Sequence, residues 1–247
     1  MDLRITLLAL FLPSFILAQT IPDHRKVDWS QAGNTIEIQS PSQVIDIMNV
    51  GGISNQLASN NTAIQAALVQ LNGEAGSIYF PDGVYLFDQT VSLPDSTWLV
   101  GESSNAKLVF ELSGNGHCIQ MVGTETTDTV WLNYAVGKGE IEMSVGNAAS
   151  LSSGEMLRIG MSDEDLVTSE WAEGFVGQCV MIDWINGNSI FLKDPLNLDL
   201  ELVRVPYGIR VIPRVYAGIE CLSIERLDDA ASHFDNIIAK RAFNCAV

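Results

Sequence analysis

The sequence predicts an all-β chain folded as a solenoid of parallel strands, with a capping helix near its N-terminal end and an antiparallel β insert. Short apolar runs begin at residues 78, 98 and 118, so the spacing is 98 − 78 = 20 and 118 − 98 = 20 residues. A fixed period of this length is typical of solenoids, although β-hairpins would give a similar spacing. The runs are almost continuously apolar rather than alternating, which favours parallel sheets over hairpins.

Residues 19–123 are predicted to form the N-terminal cap and the first coils. Residues 76–87 read as strand, turn and strand, because Pro81-Asp82-Gly83 combines a fixed φ, a side chain that bonds back to the backbone and a residue that accepts positive φ. We therefore expect this corner to determine the fold rather than to carry chemistry. An apolar face at helical spacing precedes it and predicts the capping helix; its members are Ile64, Ala67, Leu68 and Leu71.

The period lapses over residues 124–205, which are predicted to form the β-rich insert. Asn186-Gly187 lies between two apolar runs, and this dipeptide is the strongest short-range signal for a β-hairpin. Apolar runs of the coil type return in residues 206–247. Val247 falls within such a run, and a solenoid needs a closing cap, so we expect the sequence to be a piece of a longer protein whose C-terminal coils are missing.

Residues 1–18 are predicted to be a secretory signal peptide. Arg4 supplies a positive charge, residues 5–17 are apolar, and Ala18 suits the position before cleavage. A membrane anchor is the alternative, but the apolar run is short for a span and Pro13 interrupts it. The expected location is therefore secreted or at the cell surface, with no membrane association after cleavage.

The chain carries a net charge of −17, which restricts its partners. An acidic surface repels the phosphates of nucleic acids and anionic membranes, so a role in nucleic-acid binding is not expected. A polyanionic ligand would need a bridging cation or a local basic patch.

The four cysteines are Cys118, Cys179, Cys221 and Cys245. An even number in a secreted chain permits disulfides, and their spacing does not match a metal site. Cys245 follows Cys221 by 24 residues, about one coil, and residues stacked in adjacent coils lie within disulfide range. A Cys221–Cys245 disulfide is one prediction, and stacked buried thiols are the alternative.

Acidic residues supply the candidate metal and catalytic groups. Asp163, Glu164 and Asp165 form the densest acidic cluster and could bind Ca²⁺, although a solvated loop is the favoured interpretation because no calcium-loop spacing is present. A second set follows a predicted coil strand and could provide an acid and a base, with a polar connecting loop as the favoured alternative; it comprises Arg226, Asp228, Asp229 and His233.

Tryptophans are candidates for stacking on sugar rings, although large aromatic residues more often anchor a core. Trp98 lies in the repeat and is expected to be buried. Trp171 lies among polar residues and is the tryptophan we expect to be exposed and to contact substrate.

Three stretches together resemble the pectate-lyase superfamily, the pectin-lyase-like proteins with a right-handed parallel β-helix. They are residues 60–67, residues 76–87 with Phe80-Pro81-Asp82-Gly83-Val84-Tyr85, and residues 93–101. In the family these correspond to a capping helix and the first two coils. A looser similarity covers residues 171–200 and 218–247, whereas Gly51-Gly52 departs from the family's usual Asp-Phe-Gly-Ala pattern.

The resemblance implies a polysaccharide partner, bound along a groove on one face of a β-sheet. Lyases of this family use Ca²⁺ on acidic side chains with an Arg or Lys base, and hydrolases use grouped Asp residues; neither set maps onto this sequence. The expected function is cleavage of an extracellular polysaccharide, with an acidic one as a candidate, by a lyase or a glycoside hydrolase. The alternative is a non-catalytic β-helix that binds glycans or acts in adhesion.

Overall fold

The computed structural model describes residues 43–229 and 234–247. The predicted signal peptide and His233 lie outside these ranges. Within them, no helix is both long enough and apolar enough to cross a membrane. The helix α1 spans Asn61–Leu71, and the strands, in chain order, are β1 (Gln43–Asp46), β2 (Gly76–Phe80), β3 (Gly83–Phe87), β4 (Val91–Ser92), β5 (Thr97–Gly101), β6 (Ala106–Phe110), β7 (Ile119–Val122), β8 (Thr124–Trp131), β9 (Glu142–Ser144), β10 (Met156–Gly160), β11 (Gly177–Asn186), β12 (Ser189–Leu192), β13 (Tyr207–Ile212), β14 (Arg214–Val215), β15 (Gly218–Glu220), β16 (Ser223–Arg226), β17 (Ile237–Lys240) and β18 (Ala242–Phe243).

Most parallel strands form three sheets that the chain visits in a constant order, and β14 pairs in parallel with β18 in a separate two-stranded sheet. The first sheet is β1-β2-β5-β15, the second is β3-β6-β16 and the third is β4-β7-β17. Neighbouring strands within each sheet pair in parallel. Since β2, β3 and β4 follow one another along the chain, as do β5, β6 and β7, each circuit of the three sheets adds one strand to each. The prediction of a mainly β chain is confirmed.

The register of the first sheet differs by one residue from the predicted period. Ile78 pairs with Leu99, an offset of 99 − 78 = 21 residues, and Trp98 pairs with Ser77. Side chains alternate between the two faces of a strand, so a shift of one residue exchanges them. Ile78 and Leu99 are therefore fully buried, whereas Trp98, expected in the core, is only half-buried.

One hydrophobic cluster lies among α1 and the parallel strands. The helix ends at Asn72, which has the left-handed conformation with φ 50° and whose N–H donates to the carbonyls of Leu68 and Val69. Leu68 packs against the margin of the cluster. The helical residues that are buried in it are Ala63, Ile64, Ala67 and Leu71.

The insert is a six-stranded antiparallel sheet in the order β8-β13-β10-β11-β12-β9, with a hydrophobic cluster of its own. The predicted hairpin at Asn186-Gly187 joins β11 to β12, and Gly187 has the positive φ of 60° that such a turn requires. Strand β13 pairs antiparallel with β8 and β10, although its apolar run was assigned to the coils of residues 206–247. The insert sheet therefore extends over residues 124–212.

Arg226 and Asp228 fasten the last strand of the second sheet to the turn that follows β6. Asp228 Oδ1 accepts a hydrogen bond of 2.8 Å from the N–H of Leu112, and Oδ2 accepts one from the N–H of Gly114. Arg226 Nη2 lies 3.0 Å from Asp228 Oδ2, while Nη1 donates to the carbonyl of Gly116 over 2.7 Å. The pair is a structural clamp with few free hydrogen-bonding positions.

Replacement of Gly83 by Ala should lower the stability of the fold. Gly83 has φ 153°, and an added Cβ would lie 2.9 Å from the Cβ of Ser54. Backbone strain of this kind costs about 1–3 kcal/mol, so we expect a lower midpoint of urea unfolding. Gly137→Ala is the matched control, because its Cβ would meet no atom nearer than 3.8 Å. Equal midpoints for the two variants would contradict the role assigned to this corner.

Replacement of Asp228 by Asn should destabilise the fold at neutral pH but not at pH 2. The N–H of Leu112, then the N–H of Gly114 and the Arg226 guanidinium, outweigh desolvation and lower the pKa of Asp228 to about 2. A lowered folded-state pKa stabilises the fold above the unfolded pKa, and this stabilisation is lost as the pH falls from about 4 to about 2. Thermal unfolding of both proteins between pH 7 and pH 2 should show converging Tm values.

The control for this titration is Glu111→Gln, which removes an exposed carboxylate next to Leu112. Its Tm should stay parallel to that of the wild type at every pH. A Tm difference for Asp228→Asn that is constant with pH would contradict the ionic clamp.

Candidate functional site

Two carboxylates of the acidic cluster at residues 163–165 have partners within the chain, and binding of Ca²⁺ by the cluster stays a prediction. Asp163 is buried, and its carboxylate accepts hydrogen bonds from the N–H groups of Gly174 and Val176 over 2.7 and 2.8 Å. These bonds lower the pKa of Asp163. Asp165 forms a bidentate ion pair with Arg204. In residues 43–229 and 234–247, no group of three or more acidic, His or Cys side chains is placed to hold a metal ion.

Two members of the second acidic set contact each other, and a catalytic role for the set stays a prediction. Arg226 and Asp228 are occupied in the clamp described above, and Asp229 is exposed beside it. A carboxylate that accepts two backbone N–H bonds and an Arg contact favours its charged form and is a poor proton donor. His117 accepts a hydrogen bond of 3.0 Å from the N–H of Asp235 through Nδ1.

The predicted Cys221–Cys245 disulfide is not formed, since all four cysteines are free. The reason is the offset at which the end of the chain pairs with β15. Gly218 pairs with Ala246, an offset of 246 − 218 = 28 residues rather than the 24 that separate the two cysteines. Cys245 lies at the margin of the first hydrophobic cluster, where its Sγ is 3.5 Å from the carbonyl of Arg214.

A basic cleft brings together the insert and the turn after β17. Its volume is about 440 Å³. Arg158 comes from β10, and Gln178 and Cys179 come from β11. Lys240 and Arg241 approach from the end of β17. The full lining is Arg158, Gly174, Phe175, Gly177, Gln178, Cys179, Lys240 and Arg241, and it includes no carboxylate.

Glu125 on β8 holds the two arginines of the cleft. Its Oε1 lies 2.8 Å from Arg158 Nε and accepts a hydrogen bond of 2.8 Å from Arg241 Nε. Partial burial alone would raise the pKa of Glu125, but the hydrogen bond from Arg241 and the charge of Arg158 outweigh it and lower the pKa. Glu125 is therefore ionised at neutral pH, and it balances one of the two positive charges.

Contacts with the protein fix the orientation of Arg158. Its guanidinium lies over the ring of Tyr207, 5.7 Å from the centroid, and its Nη1 donates a bond of 3.0 Å to the carbonyl of Gly174. Lys240 is exposed and forms no ion pair with the described part of the chain. The cleft thus has a fixed guanidinium and a free ammonium in a protein that is acidic elsewhere.

Exposed aromatic side chains flank the cleft. Phe175 is 69% exposed and lines it, and Trp171, 78% exposed, contacts Phe175 edge-on with ring centroids 6.3 Å apart. The exposure expected of Trp171 is thus observed, and its contact with substrate stays a prediction. Aromatic rings pack on the apolar faces of sugars, while arginine and lysine bind carboxylate, sulfate or phosphate groups.

Sequence reasoning missed the residues of this cleft. Arg158 lies inside an apolar strand, and Lys240 and Arg241 end another strand some 80 residues later, so nothing in their spacing joins them. The signal that could have identified these residues is the scarcity of basic residues in the sequence. The chain has only 13 basic residues, and a run of two at 240–241 is unusual in it.

The comparisons with known proteins agree with the resemblance noted in the sequence. Residues 47–138 match the family model described as rhamnogalacturonase A/epimerase, pectate lyase-like. No curated protein matches the sequence significantly.

Solved structures with a similar fold include phage tailspikes. The gp54 tailspike of Acinetobacter baumannii bacteriophage AP22, solved with a capsular saccharide, has a TM-score of 0.64 at 14% identity, covering 81% of this chain and 32% of the tailspike. The gp61 tailspike of Pseudomonas phage phi297 has a TM-score of 0.60 at 13% identity, covering 82% of this chain and 38% of that one. The chain thus spans less than two fifths of either protein. The family match confirms the resemblance to the pectate-lyase superfamily for residues 47–138.

Proposed function

We propose that this chain binds an acidic extracellular polysaccharide in the basic cleft, as part of a polysaccharide-processing protein. The observation that carries the proposal is the cleft itself: Arg158, Arg241 and Lys240 converge with exposed aromatic rings on a chain of net charge −17. Such a chain repels polyanions over most of its surface, so a local basic site is what an acidic glycan requires. The capsular saccharide bound to one tailspike of similar fold supports a saccharide as the ligand.

We also infer the architecture in which the cleft lies. The parallel sheets are the faces of a right-handed solenoid, because each circuit of the chain adds one strand to each sheet. Residues 43–123 supply the cap and the first coils, and the insert interrupts the solenoid before residues 213–247 continue it. The apolar segment at residues 5–17 would direct the protein to the secretory route, where a surface polysaccharide is accessible.

Cleavage of the bound polysaccharide by elimination or hydrolysis is a second proposed function, supported by the family match over residues 47–138. The cleft favours binding over hydrolysis in this part of the protein. It is lined by no carboxylate, whereas hydrolysis of a glycosidic bond commonly needs two.

Replacement of Lys240 by Ala should weaken binding of an acidic polysaccharide about tenfold. A hydrogen bond to a charged group is worth about 1.5–3 kcal/mol, and about 1.4 kcal/mol is a factor of ten in affinity. The measurement is titration calorimetry with polygalacturonate and alginate at two salt concentrations, since binding should weaken as screening increases.

The matched control is Lys193→Ala, which removes another exposed lysine outside the cleft. Its affinity should equal that of the wild type. Equal losses in both variants would show non-specific attraction and would contradict a site at Lys240.

Incubation of the protein with the same polysaccharides should separate binding from cleavage. Absorbance from unsaturated ends would indicate a lyase, and new reducing ends without that absorbance would indicate a hydrolase. For residues 1–247 we expect neither, with binding retained. Product formation that survives Lys240→Ala would place the reaction outside the basic cleft.

A further inference from the structure

A second cavity shares Gly174 with the basic cleft but has side chains of the opposite charge. Its volume is about 320 Å³, at the lower end of the range for ligand sites, which suits a small ligand such as a sugar ring. It is lined by Trp131, Met161, Ser162, Asp163, Glu164, Glu173, Gly174, Arg204, Val205 and Tyr207.

Trp131 provides an oriented aromatic wall. It ends β8 and pairs across the sheet with Tyr207 of β13, and the two rings meet edge-on with centroids 5.8 Å apart. The ring of Tyr207 also packs against the guanidinium of Arg158 on β10. Neighbours on β8 and β10 therefore hold Tyr207 in place. The Trp131 side chain nevertheless remains 53% exposed. An indole held in place and half open to solvent is suited to stacking on the C–H face of a pyranose.

The free charged groups of the cavity are carboxylates. The side chains of Glu164 and Glu173 form no hydrogen bond or ion pair with the part of the chain that the structure describes. Arg204 is engaged by Asp165 and by Glu201, whose Oε2 lies 3.4 Å from its Nε. Ionised carboxylates accept hydrogen bonds but donate none, so they suit the hydroxyl groups of a sugar and repel a sugar acid.

Backbone strain lies at the same cavity. Val205 has φ 49° and ψ 60°, a left-handed conformation that β-branched residues rarely adopt. Strain of this kind tends to persist at ligand sites, where it helps to shape the site before the ligand binds. The strained residue follows the short 3₁₀ helix Leu202–Arg204 and closes one side of the cavity.

We propose that this cavity is a second saccharide subsite, specific for an uncharged pyranose. The ring stacks on Trp131 and its hydroxyl groups donate to Glu164 and Glu173. The inference rests on the proposed function, because the subsite adjoins the cleft assigned to the acidic sugar. One polysaccharide that reaches both places would present an uncharged residue here and an acidic residue beside Arg158 and Lys240.

Binding of uncharged oligosaccharides should depend on Trp131. The probes are cello-, malto-, manno- and galacto-oligosaccharides, with oligogalacturonate as the acidic counterpart, and the readouts are calorimetry and tryptophan fluorescence. We expect at least one uncharged series to bind at millimolar concentration or below. Trp131→Ala should weaken that binding at least tenfold, and Trp131→Phe should weaken it less. Trp184→Ala is the control, since Trp184 is an exposed tryptophan outside the cavity, and it should bind as the wild type does.

A second variant tests the selection against acidic sugars. In the double variant Glu164→Gln and Glu173→Gln, oligogalacturonate should compete with the uncharged sugar at the Trp131 site, which it should not do in the wild type. The subsite would be overturned if no uncharged series bound to the protein. It would also be overturned if the Trp131→Phe and Trp131→Ala variants, shown to be folded by circular dichroism, bound the uncharged sugar as tightly as the wild type does.

The two proposals fail in different ways. Loss of the subsite leaves polygalacturonate binding and its dependence on Lys240 intact. Failure of the basic cleft instead leaves the uncharged sugars bound through Trp131, with no effect of Lys240→Ala on any acidic glycan.

Discussion

The contact on which the arrangement depends is the packing of Trp98 against Gly218. These residues pair across adjacent parallel strands that are 120 residues apart in the chain, since 218 − 98 = 120. A Cβ on Gly218 would lie 2.5 Å from the indole, so only glycine lets β15 approach β5 this closely. That approach allows the parallel sheet to continue after the chain has left it to build the six-stranded insert. The parallel sheets therefore hold both ends of the insert, and the position of the insert beside β17 creates the cleft.

Acidic and basic side chains differ in how they are placed on this framework. Most carboxylates of the described segments are exposed, whereas the arginines are drawn into ion pairs that connect distant parts of the chain. Arg214 reaches Asp95, Arg210 reaches Asp128, and Arg241 reaches Glu125. Pairs of this kind contribute little stability when exposed, but they specify which segments meet. At Glu125 two arginines meet a single carboxylate, and the excess positive charge faces the cleft.

Sequence reasoning predicted those parts of the fold that depend on local pattern. The helical face of Ile64, Ala67 and Leu71 and the Asn186-Gly187 hairpin were predictable because their signals lie within a few residues. Leu99, and not Trp98, is buried in the core because the strand register differs by one residue from the predicted period. The period alone could not resolve a difference of one residue. Strand β13 has the composition of a coil strand, and only its pairing partners make it part of the insert.

The candidate site was harder to predict from the sequence than the fold was. Asp228 and Asp163 attracted attention as carboxylates, but their backbone N–H partners decide their role, and those partners are distant in sequence. Arg158 and Lys240 become neighbours only through the closed fold.

The position of Glu125 links ligand binding to the seating of the insert. Arg158 belongs to the insert and Arg241 follows β17, so the cleft exists only while these two parts are in contact. A ligand that binds both stabilises that contact by mass action and has no equivalent site on the separated parts. The chain enters and leaves the insert at residues 122–124 and 212–214. If a saccharide binds in the cleft, these two segments would open less often.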